Sequence, residues 1–136
     1  SGNLGAKLKT VEDLMLIKER IPFISENSTM KEALRIITLK KLGTLIVRNG
    51  KNNTTGIITD GQIRRVSQKK DNLLGLKVKE VMTKNPIKVS KDILVMKALS
   101  IMNDNKITSL CVNSNSKKNK TIGIIHIHNI LQNNIS

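Results

Sequence analysis

Apolar and polar positions alternate between two periods along this chain. Met30, Ala33, Leu34 and Ile37 fall at i, i+3, i+4 and i+7, the spacing of one face of an amphipathic helix. Thr29 and Glu32 before and within that stripe form a capping-box pattern, and Gly43 supplies a stop. Two apolar runs follow, Thr44–Val47 and Gly56–Thr59. They are too short for helices and predict strands. Asn49-Gly50 between them predicts a turn, because both residues tolerate positive φ. Upstream, Pro22–Ser25 reads as a strand opened by proline, a position that needs no ladder donor. Downstream, Asp60–Val66 reads as a helix, and another short helix begins near Thr10.

The same order returns later in the chain. Val11-Glu12-Asp13-Leu14-Met15 recurs as Val78-Lys79-Glu80-Val81-Met82, an offset of 67 residues (78 − 11). Ile21-Pro22-Phe23-Ile24 recurs around Asn85-Pro86-Ile87-Lys88-Val89, and Glu32-Ala33-Leu34 as Lys97-Ala98-Leu99. Leu42–Val47 recurs as Ile107–Val112, and Gly56-Ile57-Ile58 as Gly123-Ile124-Ile125. The second copy thus predicts a short helix near Lys77, a strand over Pro86–Val89 and a helix capped by Ser90 with the stripe Leu94, Val95, Ala98, Leu99 and Met102. Strands Ser109–Val112 and Ile122–His126 and a helix over His128–Leu131 complete it. The architecture expected is α+β: two β-α-β-β-α repeats related by pseudo-twofold symmetry. Residues 10–66 form the first repeat, 67–77 a connector that is polar and then Leu-rich, and 78–136 the second.

Composition narrows the function. Phe23 is the only aromatic residue, so the core must be aliphatic. That argues against single-stranded nucleic-acid platforms, which stack bases on aromatic rings. The net charge is +14, but the lysines are scattered beside abundant Asn and Ile, with the densest groups at Lys69-Lys70 and at Lys117, Lys118 and Lys120. A basic patch able to grip nucleic acid is not expected; a small anionic ligand gains more from this potential. Cys111, the single cysteine, lies in an apolar run and reads as buried. No run reaches the ~18 apolar residues of a membrane span, and the chain reads as soluble and cytoplasmic.

The repeat, the element order and the Gly-Ile-Ile-Thr strand motif together resemble the CBS (cystathionine-β-synthase-type) domain family. Its signature at the end of the last strand, Gly-h-h-Thr/Ser-x-x-Asp/Asn, is similar to Gly56-Ile57-Ile58-Thr59-Asp60-Gly61-Gln62 and to Gly123-Ile124-Ile125-His126-Ile127-His128-Asn129. Within that family, Asn3-Leu4-Gly5-Ala6-Lys7-Leu8 and the run from Gly56 to Arg65 resemble arabinose 5-phosphate isomerases, at and after the joint with their sugar isomerase (SIS) domain. The resemblance implies a regulatory CBS pair whose residues 1–9 are a linker from a missing SIS domain. The parent would interconvert ribulose and arabinose 5-phosphates on the route to the lipopolysaccharide sugar Kdo. The pair itself would have no catalytic residues, cofactor or metal, would dimerise through its helices, and would sense CMP-Kdo, AMP or ATP. The alternative is a pair kept for assembly, with degraded nucleotide sites.

The resemblance also assigns roles. Backbone at Pro22, and at Pro86 and Ile87, would meet the base. Thr59 would meet phosphate, and Gln62 stands where the subfamily has an Asp for the ribose diol. A carboxylate can accept two hydroxyls at once; Gln can accept but lacks the charge. Asp60 either caps its helix or touches ligand. Arg64 or Arg65 could pair with phosphate or lie on a solvated face. In the second copy His126 replaces Thr and Asn129 replaces Asp. His126 and His128, two apart, would share a face if the strand ran that far, as anion donors or as structural groups; two imidazoles fall short of a metal set. Thr44, Thr108 and Ser109, at strand starts, are hydroxyl contacts or simple packing.

Overall fold

The computed structural model describes residues 8–69 and 71–133. Residues 1–7, with most of the joint-like stretch, and Lys70 lie outside them. The helices are α1 (Val11–Leu14), α2 (Met30–Lys40), α3 (Asp60–Ser67), α4 (Val78–Val81), α5 (Val95–Asn105) and α6 (Ile127–Leu131). The strands are β1 (Phe23–Ser25), β2 (Thr44–Arg48), β3 (Thr54–Thr59), β4 (Thr83–Lys84), β5 (Lys88–Ser90), β6 (Ser109–Asn113) and β7 (Thr121–His126). Short 3-10 turns occupy Lys18–Arg20 and Leu73–Gly75. Among the described residues no helix is long and apolar enough to cross a membrane.

The chain divides into two compact units. The first is contiguous, Pro22–Pro86; the second joins the residues up to Ile21 with those from Ile87 onward. The units are therefore offset from the sequence repeats, because the short helix that opens each repeat packs in the unit built by the other.

In the first unit the sheet order is β1-β2-β3-β4, with β1 parallel to β2 and the other pairs antiparallel. Its core is Ile24, Met30, Ala33, Ile37, Leu45, Val47, Ile58, Leu73, Val78 and Val81. The connector is thus structural: Leu73 and the opening residues of the second repeat belong to this core. The stripe expected on α2 is the face that is buried, with Leu34 only half-buried. Thr29 Oγ1 accepts the Glu32 N–H at 3.2 Å, while the Glu32 carboxylate turns to Arg35 instead of closing the capping box.

The second unit mirrors this arrangement. Its sheet order is β5-β6-β7, again parallel then antiparallel, and Leu16 bridges β7 at Ile124. Val11, Val89, Val95, Ala98, Met102, Leu110, Val112, Ile125 and Ile130 form its core. The helix starts cap one another in both units. Val11 N–H bonds the Ile93 carbonyl and Val95 N–H the Lys9 carbonyl, each at 2.9 Å. In the first unit Val78 N–H bonds Ser28 and Met30 N–H bonds Leu76, each at 2.8 Å. Orphan donors of one helix are satisfied by the chain entering its neighbour.

Three local expectations are corrected. Ser90 does not cap α5: it ends β5, its hydroxyl accepts the Asp92 N–H, and Leu94 is the N-cap. Gly43 does not end α2: Lys41 takes the left-handed cap at φ 60°, and Gly43 at φ 70° turns the chain into β2. Gly50 does not adopt positive φ in the hairpin; Asn52 does, at 61°. Asn49 Oδ1 accepts the N–H groups of Lys51 and Asn53 at 3.0 Å and builds a longer loop.

Candidate functional site

In the first unit the expected site residues gather where β2 begins and β3 gives way to α3. Thr44 stands opposite Thr59 in the antiparallel register. The Asp60 N–H donates to the Gly43 carbonyl at 3.0 Å, clamping the start of α3 to the entry of β2. Pro22 is buried just before β1, and its carbonyl accepts the Ile46 N–H at 2.8 Å. Thr59 is the N-cap: its Oγ1 accepts the Gln62 N–H at 3.2 Å. The cap role considered for Asp60 therefore belongs to Thr59. Asp60 is the exposed first residue of the helix, where a carboxylate suits the positive dipole end.

Gln62 is turned inward. Its Nε2 donates to the Val81 carbonyl on α4, and its Oε1 is buried without a hydrogen-bond partner among the described residues. A buried unsatisfied acceptor costs about 1–3 kcal/mol. Arg64 and Arg65 are both exposed, yet they differ in position. A Cβ placed on Gly61 would lie 3.3 Å from Arg65 Nη1, so this guanidinium folds back over the first turn of α3. The sequence held a signal for this. Residues i and i+4 are neighbours on a helix, and the glycine at 61 leaves the surface under Arg65 bare.

The second unit builds the corresponding corner differently. Ser109 stands opposite His126, and the Ile127 N–H donates to the exposed Thr108's carbonyl at 2.8 Å. His126 is buried and caps α6: its Nδ1 accepts the His128 N–H at 3.1 Å. An accepting Nδ1 requires the neutral ring with its proton on Nε2. Asn129 Oδ1 accepts the His126 N–H at 2.8 Å, closing a reciprocal capping box. The strand ends at His126, so the two histidines do not share a strand face; they stack across the strand–helix junction, centroids 4.7 Å apart. Among the described residues no set of three His, Cys, Asp or Glu could hold a metal ion.

The two units divide the remaining base-contact residues. Pro86 is buried and closes the first unit; Ile87 is exposed and opens the second segment of the other. Pro22, Thr44, Thr59, Asp60, Gln62, Arg64, Arg65 and Pro86 thus lie in the first unit, and Ile87, Thr108, Ser109, His126, His128 and Asn129 in the second.

Comparison with known proteins agrees with this architecture. The chain is 35% identical over 132 residues to arabinose 5-phosphate isomerase KdsD of Salmonella typhimurium, covering 96% of this chain and 39% of the relative. It is 34% identical over 135 residues to protein RP505 of Rickettsia prowazekii, covering 99% of this chain and 41% of that one. The chain therefore spans about two fifths of the length of these relatives. The crystal structure of CBSX2 in complex with AMP shares the fold at a TM-score of 0.79 and 22% identity, covering 91% of this chain and 94% of that one. The family profile of the CBS domain matches residues 11–69 and again 78–135. With both repeats matched and the pair fold shared, the chain belongs to the CBS domain family as a tandem pair.

Proposed function

We propose that this chain is the regulatory, nucleotide-sensing CBS pair of a cytoplasmic arabinose 5-phosphate isomerase in Kdo and lipopolysaccharide biosynthesis. Residues 1–9 link it to a sugar isomerase domain, 10–66 and 78–136 are its repeats, and 67–77 connect them. The pair itself carries no catalysis and forms a homodimer through its helices. One observation carries the ligand reading: the Arg65 guanidinium lies over Gly61 at the first turn of α3. With the Asp60 and Gln62 N–H groups already taken by the Gly43 carbonyl and Thr59 Oγ1, this helix start offers phosphate chiefly its positive dipole end, and a guanidinium adds a forked, permanently charged donor. The similarity to KdsD over 96% of the chain supports the enzyme assignment, and the AMP complex of CBSX2 supports a nucleotide.

Gln62 in place of a carboxylate favours, over AMP, a ligand that carries a carboxylate of its own. Loss of an acidic residue weakens the grip on a ribose diol, but it also removes repulsion against a ligand's own carboxylate. CMP-Kdo has that carboxylate. A second reading, a pair kept for assembly, draws on the second unit, where the His126 ring accepts the His128 N–H and Asn129 Oδ1 accepts the His126 N–H, so both side chains are engaged in the cap of α6.

Thermal unfolding with AMP, ATP and CMP-Kdo at equal concentration tests both, since a ligand that binds only the folded state raises Tm by mass action. CMP-Kdo should give the largest shift, and Arg65→Ala should remove most of it. A larger shift with AMP overturns the CMP-Kdo assignment, and no shift with any of the three leaves assembly as the function. Sedimentation at micromolar concentration should show twice the 15.1 kDa chain mass; a single monomeric species would refute the homodimer.

A further inference from the structure

At the far end of β1 and β2, away from the β3–α3 corner, the first unit has a pocket of about 160 Å³ lined by Phe23, Ile24, Ser25, Arg48, Asn49 and Asn52. Arg48 dominates it. Its guanidinium carbon sits 3.6 Å from the centroid of the Phe23 ring, the one aromatic ring of the chain outside histidine. Stacking on a ring engages one face of the guanidinium and leaves the N–H edge free to donate in the plane. Among the described residues the ion pairs engage other side chains, and no carboxylate lies within pairing distance of Arg48. Burial lowers the pKa of Arg48 from its ordinary value, as expected for a charge partly withdrawn from water without a counter-ion.

Apart from the apolar Ile24, the rest of the lining is neutral and polar: Ser25, Asn49 and Asn52. Asn49 Oδ1 is committed to the N–H groups of Lys51 and Asn53, which fixes the carboxamide and leaves its NH2 to donate. Ser25 Oγ accepts the Asn27 N–H at 3.2 Å, so its own proton remains available. The left-handed Asn52, at φ 61°, completes the rim. The volume is close to the about 150 Å³ of a cavity that holds a benzene-sized molecule. From the stacked guanidinium, the fixed donors and the lack of any carboxylate, we propose that this pocket binds a small oxyanion, a carboxylate or phosphate, through the forked edge of Arg48. The site is separate from the nucleotide corner and does not depend on that assignment.

The experiment is an NMR titration of the whole chain with malonate and, separately, inorganic phosphate, against sodium chloride at matched ionic strength. The backbone amides of Ser25, Asn49 and Asn52 and the Arg48 Nε–H should shift saturably, at least about tenfold more tightly than any response to chloride. A stronger response to malonate assigns an organic acid; a stronger response to phosphate assigns a phosphoryl group. Arg48→Met should abolish the shifts, and Arg48→Lys, which keeps the charge but not the fork, should weaken binding about tenfold. Arg65→Ala should leave these shifts unchanged. Responses no larger than those to chloride, or unchanged in a folded Arg48→Met protein, overturn the proposal.

Discussion

Gly56 in β3 and Gly123 in β7 hold matching places in the two units, and each is pressed by the strand-like segment that follows a short helix. A Cβ on Gly56 would lie 2.7 Å from the Thr83 carbonyl oxygen and 2.8 Å from Met82 Sδ. On Gly123 it would meet Met15 Sδ at 2.5 Å and the Leu16 carbonyl oxygen at 3.1 Å. A methionine sulfur can swing aside; a backbone carbonyl held in a ladder cannot. Gly56→Ala should therefore destabilise by about 1–3 kcal/mol, the usual cost of overpacking, and Gly123→Ala by less. Urea midpoints would check this, and equal losses would refute the distinction. Cys111 offers a second prediction. Burial pushes its thiol pKa up to about 12, with Lys88 opposing weakly. The folded state thus holds the neutral thiol. The stability it contributes is present below the unfolded value near 9.0 and is lost as pH rises towards about 12. Ellman's reagent at pH 8 should fail to label the native protein and should label it rapidly in urea. Wild type should also lose more stability than Cys111→Val between pH 9 and 11.

The helices show how differently local and tertiary signals specify a start. Thr59 and His126 do one job with different chemistry, each accepting an N–H from the first turn of the helix it opens. His126→Asn, which keeps a short capping acceptor, should preserve most stability, whereas His126→Ala should cost about 1 kcal/mol. If both substitutions cost the same in urea unfolding, the cap is not what His126 contributes. The same reasoning makes Thr59→Ala a poor probe of ligand binding, because it also uncaps α3. Cap and stripe signals within a single element were legible in the sequence: Thr29 as an N-cap, the buried face of α2 and most strand positions. Where the partner of a helix start is backbone from a distant segment, as Lys9 is for Val95, no local residue records it, and Ser90 offers a cap signal that α5 does not use. The two-residue β4 was not legible, since it pairs with β3 only because the connector returns it there. In the site, the place of Thr59 at the end of β3 was readable from its motif, but its capping of α3 was not, because Asp60 next to it is an equally good cap residue by type. The inward turn of Gln62 was not, because it depends on the Val81 carbonyl of the following repeat.

Across the molecule, the exchange of short helices makes the two units unequal in sequence although they are alike in form. The first unit needs only the contiguous stretch Pro22–Pro86, while the second is closed by residues that precede Ile21. In the second unit Val11 is fully buried in the core, and Leu16 both donates to and accepts from Ile124 of β7, at 2.8 and 3.0 Å. The Val95 N–H at the start of α5 also relies on the Lys9 carbonyl. A variant that begins at Ile17 lacks all three supports, yet it keeps every residue of the first unit. Its effect should be one-sided. Opening of a cooperative region is read by amide exchange, so β7 and α5 should lose protection strongly, with the Ile124 N–H among the first to exchange. The amides of β2 and β3 should keep protection close to that of the full chain. Peptide-resolved hydrogen exchange by mass spectrometry separates these regions. Equal loss of protection in β3 and β7 would mean that the two units unfold as one, and that the contiguous unit does not hold without the other.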